Sequence, residues 1–197
     1  ARNIQVLQGL ATFDSPTQLS VKIEDGSRSI TFDNCIIATG SRASSIPNFP
    51  TDHPLIINST GALKLQNIPK RLLVIGGGYI GLEMGSVYNA LGSQVTVVEF
   101  MPNLLPGADE DLVKPLTSKL KKSFENIYLS TKVSKVEPTD NEVTVHFEGT
   151  DGKEFSETFD TVLVSVGRKP NTPNLGLENA GISLTKRGFI PVNEKRQ

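Results

Sequence analysis

Cysteine occurs once in the 197 residues, at Cys35, and tryptophan not at all. A single cysteine excludes an intramolecular disulfide and fits a reducing compartment. Charge of either sign is not in excess: 20 basic against 21 acidic residues give a net charge of −1. With no basic run, nucleic acid and acidic membrane surfaces are not expected as partners. No apolar stretch is long enough to span a bilayer, and no signal peptide opens the chain. Histidine is confined to His53 and His146, and no metal site is expected from either. Internal repeats and low-complexity segments are missing as well. The length leaves room for one good domain, or for one domain and part of another.

What is present is concentrated between Leu72 and Glu99, in the run LLVIGGGYIGLEMGSVYNALGSQVTVVE. An apolar run, Leu72 to Ile75, suits a strand buried on both faces. Glycines follow at 76, 78 and 81. Gly76 permits a tight strand-to-helix turn, Gly78 leaves the backbone bare toward a pyrophosphate, and Gly81 lets the helix lie close on the sheet. The free N–H groups at the helix start, and its dipole, then favour the phosphates. Ile80, Met84, Val87, Tyr88 and Leu91 recur at helical spacing and predict one apolar stripe, with Gly85 continuing the close-packed seam and Gly92 stopping the helix. Val95 to Val98 reads as the next parallel strand. Glu99, after it, stands where a carboxylate accepts from the adenosine ribose hydroxyls and repels a 2′-phosphate, which favours NAD over NADP. A phosphate-binding version would want arginines just after this strand, and none occurs between Arg71 and Arg168.

The chain around this unit divides into blocks of different periodicity. Residues 4–38 read as a small antiparallel set, Ile4 to Phe13, Leu19 to Ile23 and Ser29 to Phe32, with turns at Asp14-Ser15-Pro16 and Glu24-Asp25-Gly26. A buried run, Cys35 to Ala38, then enters Thr39-Gly40-Ser41, and Cys35 reads as a small core residue. Residues 42–58, with Pro47, Pro50 and Pro54, read as a linker. A short helix is expected near Ser59 to Gln66. Asp109, Glu110 and Asp111 open another, with Leu112, Leu116 and Leu120 on one face and Pro115 kinking or delaying it. Strands are expected at Ile127 to Ser130, Lys132 to Val136, Val143 to Phe147, Lys153 to Glu157 and Thr161 to Val164, with a hairpin at Thr150-Asp151-Gly152.

Four stretches carry a resemblance: Ala38-Thr39-Gly40-Ser41, Gly76 to Glu83, Glu99, and Ser165-Val166-Gly167-Arg168 followed by Pro170-Asn171. In order and spacing the chain resembles the flavin-dependent pyridine nucleotide-disulfide oxidoreductases, above all the branch that oxidises dihydrolipoamide, to which Gly107-Ala108-Asp109 also points. The resemblance implies an α/β, Rossmann-like FAD/NAD(P)-binding fold: a parallel sheet, helices and an antiparallel β-meander, plus partial FAD-domain segments. It divides the chain into residues 1–58 as part of an FAD-binding domain, 59–180 as the NAD-binding domain and 181–197 as a return segment.

On this resemblance, NAD would be held by Gly76, Gly78, Gly81, Glu99 and Gly167. Glu83 would reach the nicotinamide amide, Tyr79 and Ile80 would lie beside the nicotinamide, Val133 would border the adenine, and Ser165, Val166 and Arg168 would flank the nicotinamide half. Ala11, Thr39, Gly40 and Ser41 would contact FAD. The parent would pass electrons from dihydrolipoamide through a redox disulfide and FAD to NAD, as a homodimer within a 2-oxo acid dehydrogenase complex, in bacterial cytoplasm or mitochondrial matrix. The family's own FAD-binding GxGxxG, its Cys-x4-Cys pair and its His-x4-Glu pair are not in these 197 residues; His53 and His146 then read as surface or packing side chains. The chain is therefore expected to be a fragment with no catalytic residue of its own, inactive by itself. Another FAD-dependent NADH oxidoreductase (an NADH oxidase, a ferredoxin-type or other disulfide reductase) and a non-catalytic NAD-sensing module stand as alternatives.

Overall fold

The structure, a computed structural model, describes residues 3–197, in two compact units. The chain passes between them twice, in β4 (Ser41–Ala43) and β13 (Arg168–Pro170).

The larger unit, Ala43–Arg168, is built on five parallel strands in the order β5-β12-β6-β7-β8. These are β5 (Ile56–Asn58), β6 (Arg71–Ile75), β7 (Gln94–Val98), β8 (Asn126–Tyr128) and β12 (Thr161–Val164). One face carries α1 (Ser59–Ala62), α2 (Tyr79–Ala90) and α3 (Glu110–Ser123). The other carries an antiparallel meander, β9 (Thr131–Pro138), β10 (Val143–Gly149) and β11 (Glu154–Phe159). The alternation of side chains along a strand explains the unbroken apolar run of β6. Leu72 and Val74 join the helix-side core with Tyr88, Leu104 and Phe124, while Leu73 and Ile75 join the meander-side core with Val145, Phe147 and Phe159.

Several expectations shift in detail. Residues 42–58 are not simply a linker. Ile56 to Asn58 form the edge strand β5, parallel to β12, and Ile46, Phe49 and Leu55 pack on the meander-side core. A three-residue strand among prolines has too few side chains to show a period. Helix α1 stops at Ala62, its start capped by the Asn58 carboxamide, which accepts from the Thr60 and Gly61 amides. The buried face of α2 is Gly81, Leu82, Gly85 and Tyr88, with Val87 and Leu91 40% and 49% exposed. The two glycines bring the helix axis near the sheet, and Leu82 and Tyr88 fill the space beside them. On α3 the buried residues are Val113 and Leu120, while Leu112 is exposed, and Pro115 sits inside the helix without delaying it. The hairpin at Thr150 to Gly152 joins β10 to β11, with Gly152 at φ +78° and its N–H donating to the Gly149 carbonyl. His146 pairs with Glu137 on the exposed sheet face, and the His53 ring accepts from the Leu55 amide.

The smaller unit combines described residues up to Arg42 with Lys169–Gln197. Its antiparallel sheet is β1 (Leu10–Ser15), β2 (Gln18–Ile23) and β3 (Gly26–Thr31). A 3-10 turn, Leu177–Ala180, is tied to β1: the Phe13 amide donates to the Leu175 carbonyl, and the Asn179 side chain donates to the Phe13 carbonyl. The first strand begins at Leu10, not at Ile4, and Cys35 to Ala38 forms no strand. Cys35 is exposed, contrary to its expected burial, and Ile36 is 92% exposed. Apolar composition alone does not make a strand. A strand needs a neighbour to bond, and among the described residues no strand pairs with 35–38.

Candidate functional site

The strand order sets β12 and β7 on either side of β6, so the segments leaving their carboxyl ends converge. Connections diverge in opposite directions from β6, and such a point in a parallel sheet opens a crevice. The turn after β6 continues the ladder through Gly76, whose amide donates to the Val98 carbonyl, while the Ser165 amide after β12 donates to the Ile75 carbonyl.

Each glycine of the turn has a separate steric reason. Gly76 has φ +107°, and a Cβ there would lie 2.7 Å from the Ser165 carbonyl oxygen. A Cβ on Gly81 would meet the Gly76 oxygen at 2.1 Å and Ser165 Oγ at 2.6 Å. Gly81 thus lets the helix close on the turn itself. Gly78 differs: it is the N-cap of α2, and a Cβ there would meet nothing within 4 Å. It faces open space. No acidic residue occupies the first turn of α2, and no side chain caps it.

Glu99 leaves β7 with its backbone N–H donating to the Tyr128 carbonyl. Its carboxylate, in a residue only 9% exposed, accepts from the Gly77 amide at 2.7 Å through Oε2 and from the Met101 amide at 2.7 Å through Oε1. Ser165 Oγ donates to the Ile75 carbonyl at 3.0 Å and lies 3.3 Å from the Gly76 carbonyl.

Together these segments line a cavity of about 720 Å³. Of the residues expected around NAD, Gly76, Gly78, Tyr79, Ile80, Glu99, Val133, Ser165, Val166, Gly167 and Arg168 line it. Gly81 lies buried behind the wall, and Glu83 is exposed on α2 and does not line the cavity. Gly167 has φ +114°, and its carbonyl accepts from the Ser44 amide. The cavity mixes one acid, Glu99, with the basic Lys132 and Arg168, and Lys132 is 3.8 Å from Glu148.

The residues expected near FAD lie in the smaller unit. Thr39 and Gly40 sit in a loop leading to Ser41, and Asn171 fastens the loop: its amide donates to the Gly40 carbonyl and its side chain to the Thr39 carbonyl. Ala11 is within β1, paired with Val21. Gly9 is placed so that a Cβ would meet the Lys22 carbonyl at 2.3 Å.

Sequence reasoning passed over Gly77, Leu104, Phe100, Pro106 and Thr131. Gly77 occupies a variable position of the glycine motif, yet a Cβ there would lie 2.6 Å from Leu104 Cδ2 and 3.1 Å from Glu99 Cβ. A third consecutive glycine, where the motif asks for two, was the available signal.

Comparison with known proteins shows the family. The family model described as pyridine nucleotide-disulphide oxidoreductase matches residues 1–197. Dihydrolipoyl dehydrogenase of Vibrio cholerae is 43% identical over 194 residues, 98% of this chain and 41% of that protein. The mitochondrial dihydrolipoyl dehydrogenase of Dictyostelium discoideum is 46% identical over 191 residues, 95% of this chain and 39% of that protein. Among solved structures, the Cu(II) complex of the HOCl-induced flavoprotein disulfide reductase RclA from Escherichia coli superposes with a TM-score of 0.84 at 33% identity, covering 98% of this chain and 43% of that one. The chain thus spans about 41% of the length of the first of these relatives. With the match running from end to end and the glycine turn, the acid after β7 and the β12 exit on one crevice, the chain belongs to the pyridine nucleotide-disulphide oxidoreductase family.

Proposed function

We propose that the chain is the NAD(H)-binding part of a dihydrolipoyl dehydrogenase, together with segments of its FAD domain. The observation that carries the reading is the pairing of a bare glycine corner with a fixed acid. Gly78 leaves open space where a phosphate would approach the first amides of α2, and Glu99 holds a carboxylate on the same cavity. Two of the four or so lone-pair positions of that carboxylate are taken by the Gly77 and Met101 amides, and the remaining two can accept from ribose hydroxyls. A 2′-phosphate at the same place would meet a negative charge, so NAD is selected over NADP.

Tyr79 is 64% exposed at the mouth of the cavity, where its ring can cover or uncover a nicotinamide. Val133 and Ile80 supply apolar wall, and the backbone of Ser165 to Gly167 the opposite rim. Glu83, exposed on α2 four residues on from Tyr79 and outside the cavity lining, is assigned to the nicotinamide amide by the resemblance alone. Thr39, Gly40 and Ser41, fastened by Asn171, and Ala11 are assigned to the flavin. Bound FAD and NAD supply the redox chemistry, and this chain binds and orients. The whole enzyme's homodimer, its place in a 2-oxo acid dehydrogenase complex and its location in bacterial cytoplasm or mitochondrial matrix belong to the same proposal.

Titration calorimetry of the full 197-residue chain with NADH and with NADPH tests it. Saturable binding of NADH, at least about tenfold tighter than NADPH, is expected; each tenfold is about 1.4 kcal/mol. Absence of NADH binding, or equal affinity for both, contradicts the reading.

A further inference from the structure

From Gly77 a three-way contact runs through the ribose end of the cavity. Its N–H donates to Glu99 Oε2 at 2.7 Å, and its carbonyl accepts from the Leu105 amide at 2.9 Å. The other Glu99 oxygen accepts from the Met101 amide, so the carboxylate ties the glycine turn to the loop that follows β7. Leu104, on that loop, is 1% exposed and belongs to the helix-side core. Its Cδ2 fills the space beside the Gly77 Cα, only 2.6 Å from where a Cβ would stand.

We propose that Gly77 is a positioning residue for cofactor discrimination: with no side chain, it lets Leu104 close against the turn and fixes the Glu99 carboxylate in the orientation that grips the adenosine ribose. The inference rests on the NAD reading above and adds to it a residue at a position where the dinucleotide motif makes no demand. A methyl group at 77 has two neighbours to displace. Leu104 is locked in close-packed surroundings and gives little. Glu99 Cβ and Cγ, at 3.1 and 3.3 Å from the added methyl, must then move by a few tenths of an ångström and carry the carboxylate with them. The damage is therefore directed at the ribose hydroxyls. The phosphate approach at Gly78, where a Cβ would meet nothing within 4 Å, is untouched.

The test compares NADH with its analogue lacking the 2′-hydroxyl on the adenosine ribose, titrated against the full chain and its variants. Wild-type protein should prefer NADH by about tenfold or more, the worth of one hydrogen bond to a charged group. Gly77→Ala should weaken NADH by a similar factor and leave the deoxy analogue nearly unchanged, erasing the preference. Leu104→Val added to Gly77→Ala removes the obstructing Cδ2 and should restore it. A Gly77→Ala chain that binds both ligands more weakly by one common factor would show a merely structural role and overturn the proposal. If Gly77→Ala alone does not fold, the double variant decides: recovered preference supports the proposal, and loss of preference in a folded double variant overturns it. Wild-type protein that binds no NADH would remove the NAD reading itself; wild-type preference retained in Gly77→Ala would remove only this inference.

Discussion

Glu99 shows how one side chain can be structural and selective at once. Its two carboxylate oxygens satisfy two backbone amides from different segments, Gly77 and Met101, inside a residue that is nearly buried. A glutamine of the same shape presents one acceptor oxygen and a donor amide group. One of the two backbone N–H groups then faces another donor. An unsatisfied buried donor costs about 1–3 kcal/mol. Glu99→Gln is accordingly expected to lower unfolding free energy by about that amount in chemical denaturation, in addition to weakening NADH. Unchanged stability would show that the two amides do not depend on the charge. The acid itself was legible in the sequence, because its distance from the glycines is fixed by one helix and one strand. Its partners were not. Met101 lies two residues on, but Gly77 lies 22 residues earlier, and only the fold brings its amide to the carboxylate. Leu104 reads as one leucine among several in a loop until its neighbour at Gly77 is known.

At the scale of elements, long and strongly patterned segments were readable and short ones were not. The runs Leu72 to Ile75 and Val95 to Val98 became β6 and β7 because strands covered on both faces must be apolar throughout. Strand β5 escaped because three residues carry no period, while on α2 the close-packed Gly81 and Gly85 and the buried Tyr88 were legible and the exposure of Val87 and Leu91 was not. Residues 35–38 erred the other way, since an apolar run was read as a strand without knowing what would pair with it.

A polar cluster at one edge adds to the apolar join between meander and sheet. Arg71 of β6 donates to the Thr158 carbonyl and to Glu157 Oε2, and its guanidinium lies 5.1 Å from the centre of the Phe159 ring. The Tyr128 hydroxyl of β8 donates to Glu157 Oε1. Burial first, and then the neighbouring Glu157 carboxylate, push the Tyr128 phenol from 10.0 up to about 12. The neutral phenol is thus favoured in the folded chain, and its contribution is whole below pH 10 and lost as pH rises through about 12. Tyr128→Phe should be less stable than wild type at pH 8, and the gap should narrow between pH 10 and pH 12 in parallel denaturation series. A gap that stays constant across that window would show that the hydroxyl proton contributes nothing to the join.

For the whole molecule, the organisation follows from where the chain crosses between its two units. The larger unit is a continuous stretch, Ala43–Arg168, and the smaller is made from segments on either side of it. The resemblance alone divides the chain elsewhere, at residues 58 and 180, because it follows function. Contacts follow packing, and they place β5 and the apolar residues before it with the parallel sheet. The cavity lies wholly within the larger unit, so the proposed hold on NAD(H) depends on that unit's own residues.

The central claim is that the corner after β6 receives a diphosphate while Glu99 holds the adjoining ribose. A crystal structure of the full chain grown with NADH tests it most directly. The account predicts pyrophosphate oxygens within hydrogen-bonding distance of the first amides of α2, beside Gly78, and the adenosine ribose hydroxyls donating to Glu99. Crystals grown at saturating NADH that show this corner without the dinucleotide, or the dinucleotide bound elsewhere, would contradict it.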